Sequence, residues 1–145
     1  MKWDKIISSI TGIIGGISGY LFGEPDSFLY CLIAFVLIDY ISGVIAAGIN
    51  KELSSRAGLI GISKKAFIFL IVAMANIADT ILIGGENVLR TAVISFFIMN
   101  EGISILENAD KAGVGVPPIL HKFIAMLKNK EIDENKDIND IDKTK

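Results

Sequence analysis

Asp39, Asp79 and Glu101 are the residues best placed to do chemistry, because each carboxyl lies inside a long apolar run. A charge near the centre of a bilayer costs at least about 2.5–3.5 kcal/mol on insertion scales, so each such group needs a partner, water or a proton. At about 1.5 Å per helical residue, Asp39 lies roughly 18 Å and Glu101 roughly 20 Å below the outer ends of their segments, which are similar depths. Asp39 shares a helical face with Ser42 and Gly43, Asn76 and Thr80 flank Asp79, and Glu101, Ser104 and Asn108 repeat at helical spacing. Such stripes should face other helices or a watery cavity, since lipid offers no hydrogen bonds. Two chemistries stay open: protonated carboxyls joining helices by hydrogen bonds, or carboxylates lining a water path whose protonation or exposure changes when an assembly opens. Arg90 is placed either to pair with Asp79 or to snorkel to water.

No arrangement of these residues suggests catalysis. His121 lies beyond the last apolar run, Cys31 has no obvious base, and no glycine-rich phosphate loop follows a strand. A single cysteine allows neither an intramolecular disulfide nor a Cys-based metal cluster, so it reads as a small buried hydrophobe. No metal, no cofactor and no enzyme activity are expected.

The elements that must carry these groups are apolar helices. Hydrophobic residues make up 52% of the chain and the mean hydropathy of +0.56 lies on the membrane side of soluble composition. The net charge of −2, with its acids concentrated near the C-terminal end, gives no basic surface for nucleic acid. Four stretches are long enough to span a bilayer, about 6–23, 27–49, 66–84 and 88–106. The short links Glu24-Pro25-Asp26 and Gly85-Glu86-Asn87 require antiparallel hairpins. A soluble bundle would carry a charged face, whereas Phe67 to Ala78 and Ala92 to Met99 are uncharged all round. The first stretch, preceded by Lys2 and Lys5, also resembles a signal peptide, but no Ala-x-Ala-like site follows it and it reads as a retained span. Its glycines form two small-residue strips, Gly12 with Gly16 and Gly15 with Gly19 and Gly23, suited to close helix packing.

The fold class is therefore all-α, a multi-pass membrane protein of about four transmembrane helices. Residues 1–110 form the transmembrane domain, 111–130 an interfacial amphipathic segment and 131–145 a charged, disordered tail. With four spans, Lys2, Lys5, Lys51, Arg56, Lys64, Lys65, Lys111, Lys122, Lys128 and Lys130 fall on one side, and Glu24, Asp26 and Glu86 on the other with Arg90 as the only nearby cation. By the positive-inside rule both termini are cytoplasmic. Lys51, Arg56, Lys64 and Lys65 then form a cytoplasmic basic loop, 50–65, suited to anionic head groups, with Gly58 and Gly61 lending flexibility. After Pro117-Pro118, the residues Ile119, Leu120, Phe123, Ile124 and Leu127 fall on one helical side. From Glu131 onward six acids, three lysines and no aromatic residue leave too little apolar surface to order the chain.

One series of residues resembles a known family. Asp39-x-x-x-Gly43, Ser54-Ser55-x-x-Gly58-x-x-Gly61-x-x-Lys64-Lys65, Asp79, Glu101-x-x-Ser104-Ile105-Leu106-Glu107-Asn108, Gly113 and Val116-Pro117 together are similar to the phage-lysis and toxin-secretion holins of Gram-positive phages and clostridia. The resemblance covers about 38–120. It implies that copies accumulate in the bacterial cytoplasmic membrane, associate with one another and open lesions that release an endolysin or a large toxin. Partners would be membrane lipid and the chain itself, with the cargo released without direct contact being required. Asp39, Gly43, Lys64, Lys65, Asp79, Glu101 and Glu107 are the matching positions. Some members are drawn with three spans, which would place the N-terminus outside. A small ion channel or transporter subunit, or a non-conducting scaffold, would use the same intramembrane acids.

Overall fold

The computed structural model describes residues 2–120 and 122. Four helices follow one another: α1 (Lys2–Phe22), α2 (Ser27–Ile49), α3 (Ser55–Ala78), which continues into a π-helical turn at Asp79–Ile83, and α4 (Val88–Lys111). No strand occurs among the described residues. α2 starts where Asp26, in extended backbone, accepts the Leu29 N–H at 2.8 Å, satisfying one of the amides that every helix start leaves open. Ser54 faces the Ala57 N–H in the same way at the start of α3.

α3 begins well before the span expected at residue 66. Most of the expected basic loop is therefore helix, and only the residues between Ile49 and Ser55 connect α2 to α3. Gly58 and Gly61, read from sequence as flexible, are helical. Each glycine costs a helix about 1 kcal/mol relative to alanine, but Ser54 supplies a cap, and Lys and Arg are good helix formers. Charge marks the membrane boundary here, not the helix boundary.

The core lies between α2, α3 and α4, where Leu29, Leu32, Val36, Ile68, Val72 and Ile94 are buried with Phe69, Val93, Phe97 and Ile98 packed around them. α2 and α4 share the most extensive interface. Gly102 lets Phe35 of α2 approach, since a Cβ there would lie 3.3 Å from its ring. Outside this core the helices are apolar and uncovered: Tyr30, Leu37, Ile41, Phe67, Leu70 and Met74 are all exposed. Three segments, Ser27–Ile49, Ser55–Leu82 and Val88–Lys111, are long and apolar enough to cross a membrane. Hydrocarbon is the environment that such an all-round apolar surface requires.

α1 is different. Its apolar part, Ile6–Phe22, is shorter, and it meets the bundle through its last turn, where Phe22 packs edge-on against Phe69 at 6.2 Å. The described side chains from Trp3 to Tyr20 are all exposed. A Cβ built on Gly12, Gly15, Gly16 or Gly19 meets nothing within 4 Å, so these glycines bring no second helix close within one chain. Gly23 serves the turn instead, with φ +73°. At the other end a helical turn starts at Pro118, while most of the expected interfacial segment and the whole of the charged tail lie outside the described residues.

Candidate functional site

Three helices deliver one charged group each to a single point. Lys65 of α3 donates from Nζ to Asp39 Oδ2 of α2 at 2.6 Å and to Glu101 Oε2 of α4 at 2.5 Å. Their side chains are 15%, 14% and 9% exposed respectively, so the ammonium stands largely out of water between two acids. Removing such ions from water costs several kcal/mol apiece, which attraction offsets only if the remaining polar atoms are also bonded. Asn108 supplies those bonds, donating from Nδ2 to Asp39 Oδ1 at 2.9 Å and to Ser42 Oγ at 3.0 Å. Ser42 donates in turn to the Asp39 carbonyl. Gly43 lies against the Asn108 amide, where a Cβ would stand in van der Waals contact, 3.4 Å from Asn108 Nδ2.

A cleft of about 340 Å³ leads to this cluster. It runs from Glu52 and Lys111, at the helix ends, past Gly58 and Ser104 to Asp39 and Lys65. Its mouth lies where α2 ends, α3 begins and α4 ends, the end that also carries Lys51 and Arg56. Lys64 and Lys65 are neighbours in sequence, yet about 100° of helix rotation separates them. Lys64 is exposed, and Lys65 turns inward.

A second polar cluster sits at the opposite end. Arg90 is 1% exposed. It donates from Nη1 to Asp26 Oδ2 at 2.6 Å, from Nε to the Phe22 carbonyl at 2.6 Å and from Nη2 to the Glu24 carbonyl at 3.2 Å. Asn76 takes the Tyr20 carbonyl at 3.1 Å. Carbonyls at the end of α1, which a helix cannot satisfy itself, are thus met by side chains from α3 and α4. The Arg90 guanidinium beside Asp26 holds that carboxyl below the usual carboxylate range. Asp79 is fully buried and accepts the Leu89 and Arg90 amides at 3.0 and 2.8 Å. It therefore caps α4 from the end of the preceding helix, a role that the local residue Asn87, left-handed at φ +53° and making no side-chain cap bond, does not fill. The π-helical turn, closed by Gly85 N–H on the Asp79 carbonyl, brings the carboxylate to this position.

Residues 16–129 match the bacteriophage holin family, a stretch that contains both clusters and all of α2, α3 and α4. The chain belongs to that family. Among its relatives, a "probable holin" of Bacillus phage phi105 is 43% identical over 101 residues, covering 70% of this chain and 73% of its own. An uncharacterized protein of Listeria monocytogenes is 46% identical over 129 residues, 88% of this chain and 91% of its own. An uncharacterized 14.9 kDa protein of Clostridium perfringens, encoded in the nagH 3' region, is 41% identical over 118 residues, 81% and 89% of the two chains. No solved structure matches. Family membership and the three membrane-crossing helices make this a multi-pass protein of the bacterial cytoplasmic membrane.

Within this holin-family chain the structure gathers Asp39, Ser42, Gly43, Glu101 and Asn108 around Lys65, with Ser104 on the wall of the cleft. It places Asn76, Asp79 and Arg90 together at the other end. Arg90 meets Asp79 through its backbone amide and gives its guanidinium to Asp26 and to carbonyls, neither pairing with Asp79 by charge nor snorkelling. Lys51 and Arg56 are exposed near the mouth of the cleft. Sequence reasoning missed Asp26 as the partner of Arg90, and missed Lys65 as the counter-ion of both acids. A signal was present for Lys65: continuing the helix back through residue 65 puts it two turns before Val72, on the core side. Among the described residues no group of His, Cys, Asp and Glu could hold a metal ion.

Proposed function

We propose that this holin-family chain oligomerises in the cytoplasmic membrane and permeabilises it, releasing a cell-wall hydrolase or a large toxin. The observation that carries the reading is the Lys65, Asp39 and Glu101 cluster at the floor of a cleft inside membrane-crossing helices. In the single bundle these charges satisfy one another and face away from lipid. A lesion needs a wall that water can wet, and the same groups, parted from one another between copies, supply it. Intramembrane ions are costly to keep for packing alone, which favours a role in the wet state.

The proposed topology has four spans with both termini in the cytoplasm, residues 111–130 on the membrane surface and 131–145 in solvent. The basic residues Lys51, Arg56 and Lys111 at one end of the bundle and the acids Glu24, Asp26 and Glu86 at the other support it. Inducible expression in a bacterium whose cytoplasm holds a cell-wall hydrolase lacking a signal sequence tests the function. Collapse of the membrane potential followed by wall degradation is expected. Intact potential and viability would reject the reading, and selective ion flux with the hydrolase retained would assign a channel instead.

A further inference from the structure

Asn100 stands near the middle of α4, roughly 18 Å from its first residue at about 1.5 Å per residue. Its side chain is half-buried, and among the described residues nothing hydrogen-bonds its amide. The other two asparagines within the membrane-crossing helices α3 and α4 are bonded inside the chain, Asn76 to the Tyr20 carbonyl and Asn108 to Asp39 and Ser42. Asn100 does not line the cleft, whose wall along α4 begins one turn on at Ser104. On the helix surface Asn100 adjoins Phe96, one turn back and 49% exposed, and Met99, 47% exposed, adjoins Phe96 on its other side. A bare amide at mid-membrane, bordered by open apolar side chains, is costly in hydrocarbon.

We infer that the α4 helices of two copies meet at mid-membrane through the Asn100 amide and the Phe96 ring beside it, with Met99 on the far side of that ring. A second copy is the occupant that the chemistry selects. A primary amide carries both a donor and an acceptor, so two such groups facing each other across a two-fold axis satisfy each other. Acyl chains offer neither. The inference rests on the self-association already proposed and names the surface that makes it.

The test uses the full chain in its membrane, with Cys31→Ala removing the native thiol. Asn100→Cys and Phe96→Cys are oxidised in separate samples, alongside Leu37→Cys, an exposed position on α2. Disulfide-linked dimers at 100 and 96 well above those at 37 are expected. Asn100→Leu should weaken self-association of the detergent-solubilised chain by roughly fivefold to thirtyfold, the range set by a membrane amide contact, and Asn100→Gln should retain it. Equal cross-linking at all three positions, or an Asn100→Leu chain that associates as tightly as the native one, overturns the contact and leaves oligomerisation standing. A chain that is monomeric throughout overturns both.

Discussion

Replacing Lys65 by methionine keeps much of the length and apolar stem of the side chain but removes the charge between two acids. Asp39 Oδ2 and Glu101 Oε2 bond the same nitrogen at 2.6 and 2.5 Å, so the two oxygens are at most about 5 Å apart, and at an effective dielectric of 20 two unit charges at that distance repel by about 3 kcal/mol. The Lys65→Met chain must bear this repulsion or neutralise one acid at similar cost. It should therefore lose about 3 kcal/mol near neutral pH, within the range for breaking a buried pair by removing one partner. Adding Asp39→Asn and Glu101→Gln removes both charges, and most of the loss should return. Unfolding of the purified chain in mixed micelles of increasing SDS content, followed by helical circular dichroism, measures both. Because the cluster ties α3 to α2 and α4, its loss also favours separation of the helices, and the interval from induction to permeabilisation should shorten. A Lys65→Met chain as stable as the native one, or a triple variant no better than the single, would show that Lys65 does not hold Asp39 and Glu101 against their repulsion.

The cluster around Arg90 and Asp79 yields three further expectations. Asp79→Ala leaves the Leu89 and Arg90 amides without their acceptor, and the same SDS titration should report a loss of about 1–3 kcal/mol. Gly23→Ala puts a Cβ 2.6 Å from Asn76 Oδ1 at φ +73°, so the turn must deform, and the same SDS titration should report a loss of roughly 1–3 kcal/mol. Asp26 has a depressed carboxyl pKa through Arg90, so its contribution to stability is present above its ordinary value of 3.8 and is lost as pH falls below that value and through the folded pKa. Asp26→Asn should flatten that acid limb of a stability-against-pH curve, and an unchanged limb would contradict the pairing.

Apolar length made three membrane-crossing helices legible in the sequence, and depth counting put Asp39 and Glu101 at one level. What the count does not carry is rotation. Lys64 and Lys65 are indistinguishable by composition, yet one faces outward and the other bonds two acids 26 and 36 residues away in sequence. The start of α3 was hidden for a related reason, since glycines and charges between 50 and 65 read as a loop when the Ser54 cap and the good helix formers are discounted. Asp79 capping α4 across a π-helical turn was also hidden, because a cap is ordinarily sought just before its helix and the added residue in the turn has no sequence signature. The glycine strips of α1 mark close packing in general, and within one chain only Gly23 meets another helix, while a Cβ built on Gly12, Gly15, Gly16 or Gly19 has nothing within 4 Å.

Permeabilisation itself is tested most directly with the purified chain reconstituted into sealed lipid vesicles that hold both a small dye and a folded enzyme. Permeabilisation by assembled copies requires that both leave once enough copies are present, with a steep dependence on the ratio of protein to lipid, and that Asn100→Leu raise the ratio required. Vesicles that keep the enzyme while passing ions or dye, at every ratio tried, would contradict it.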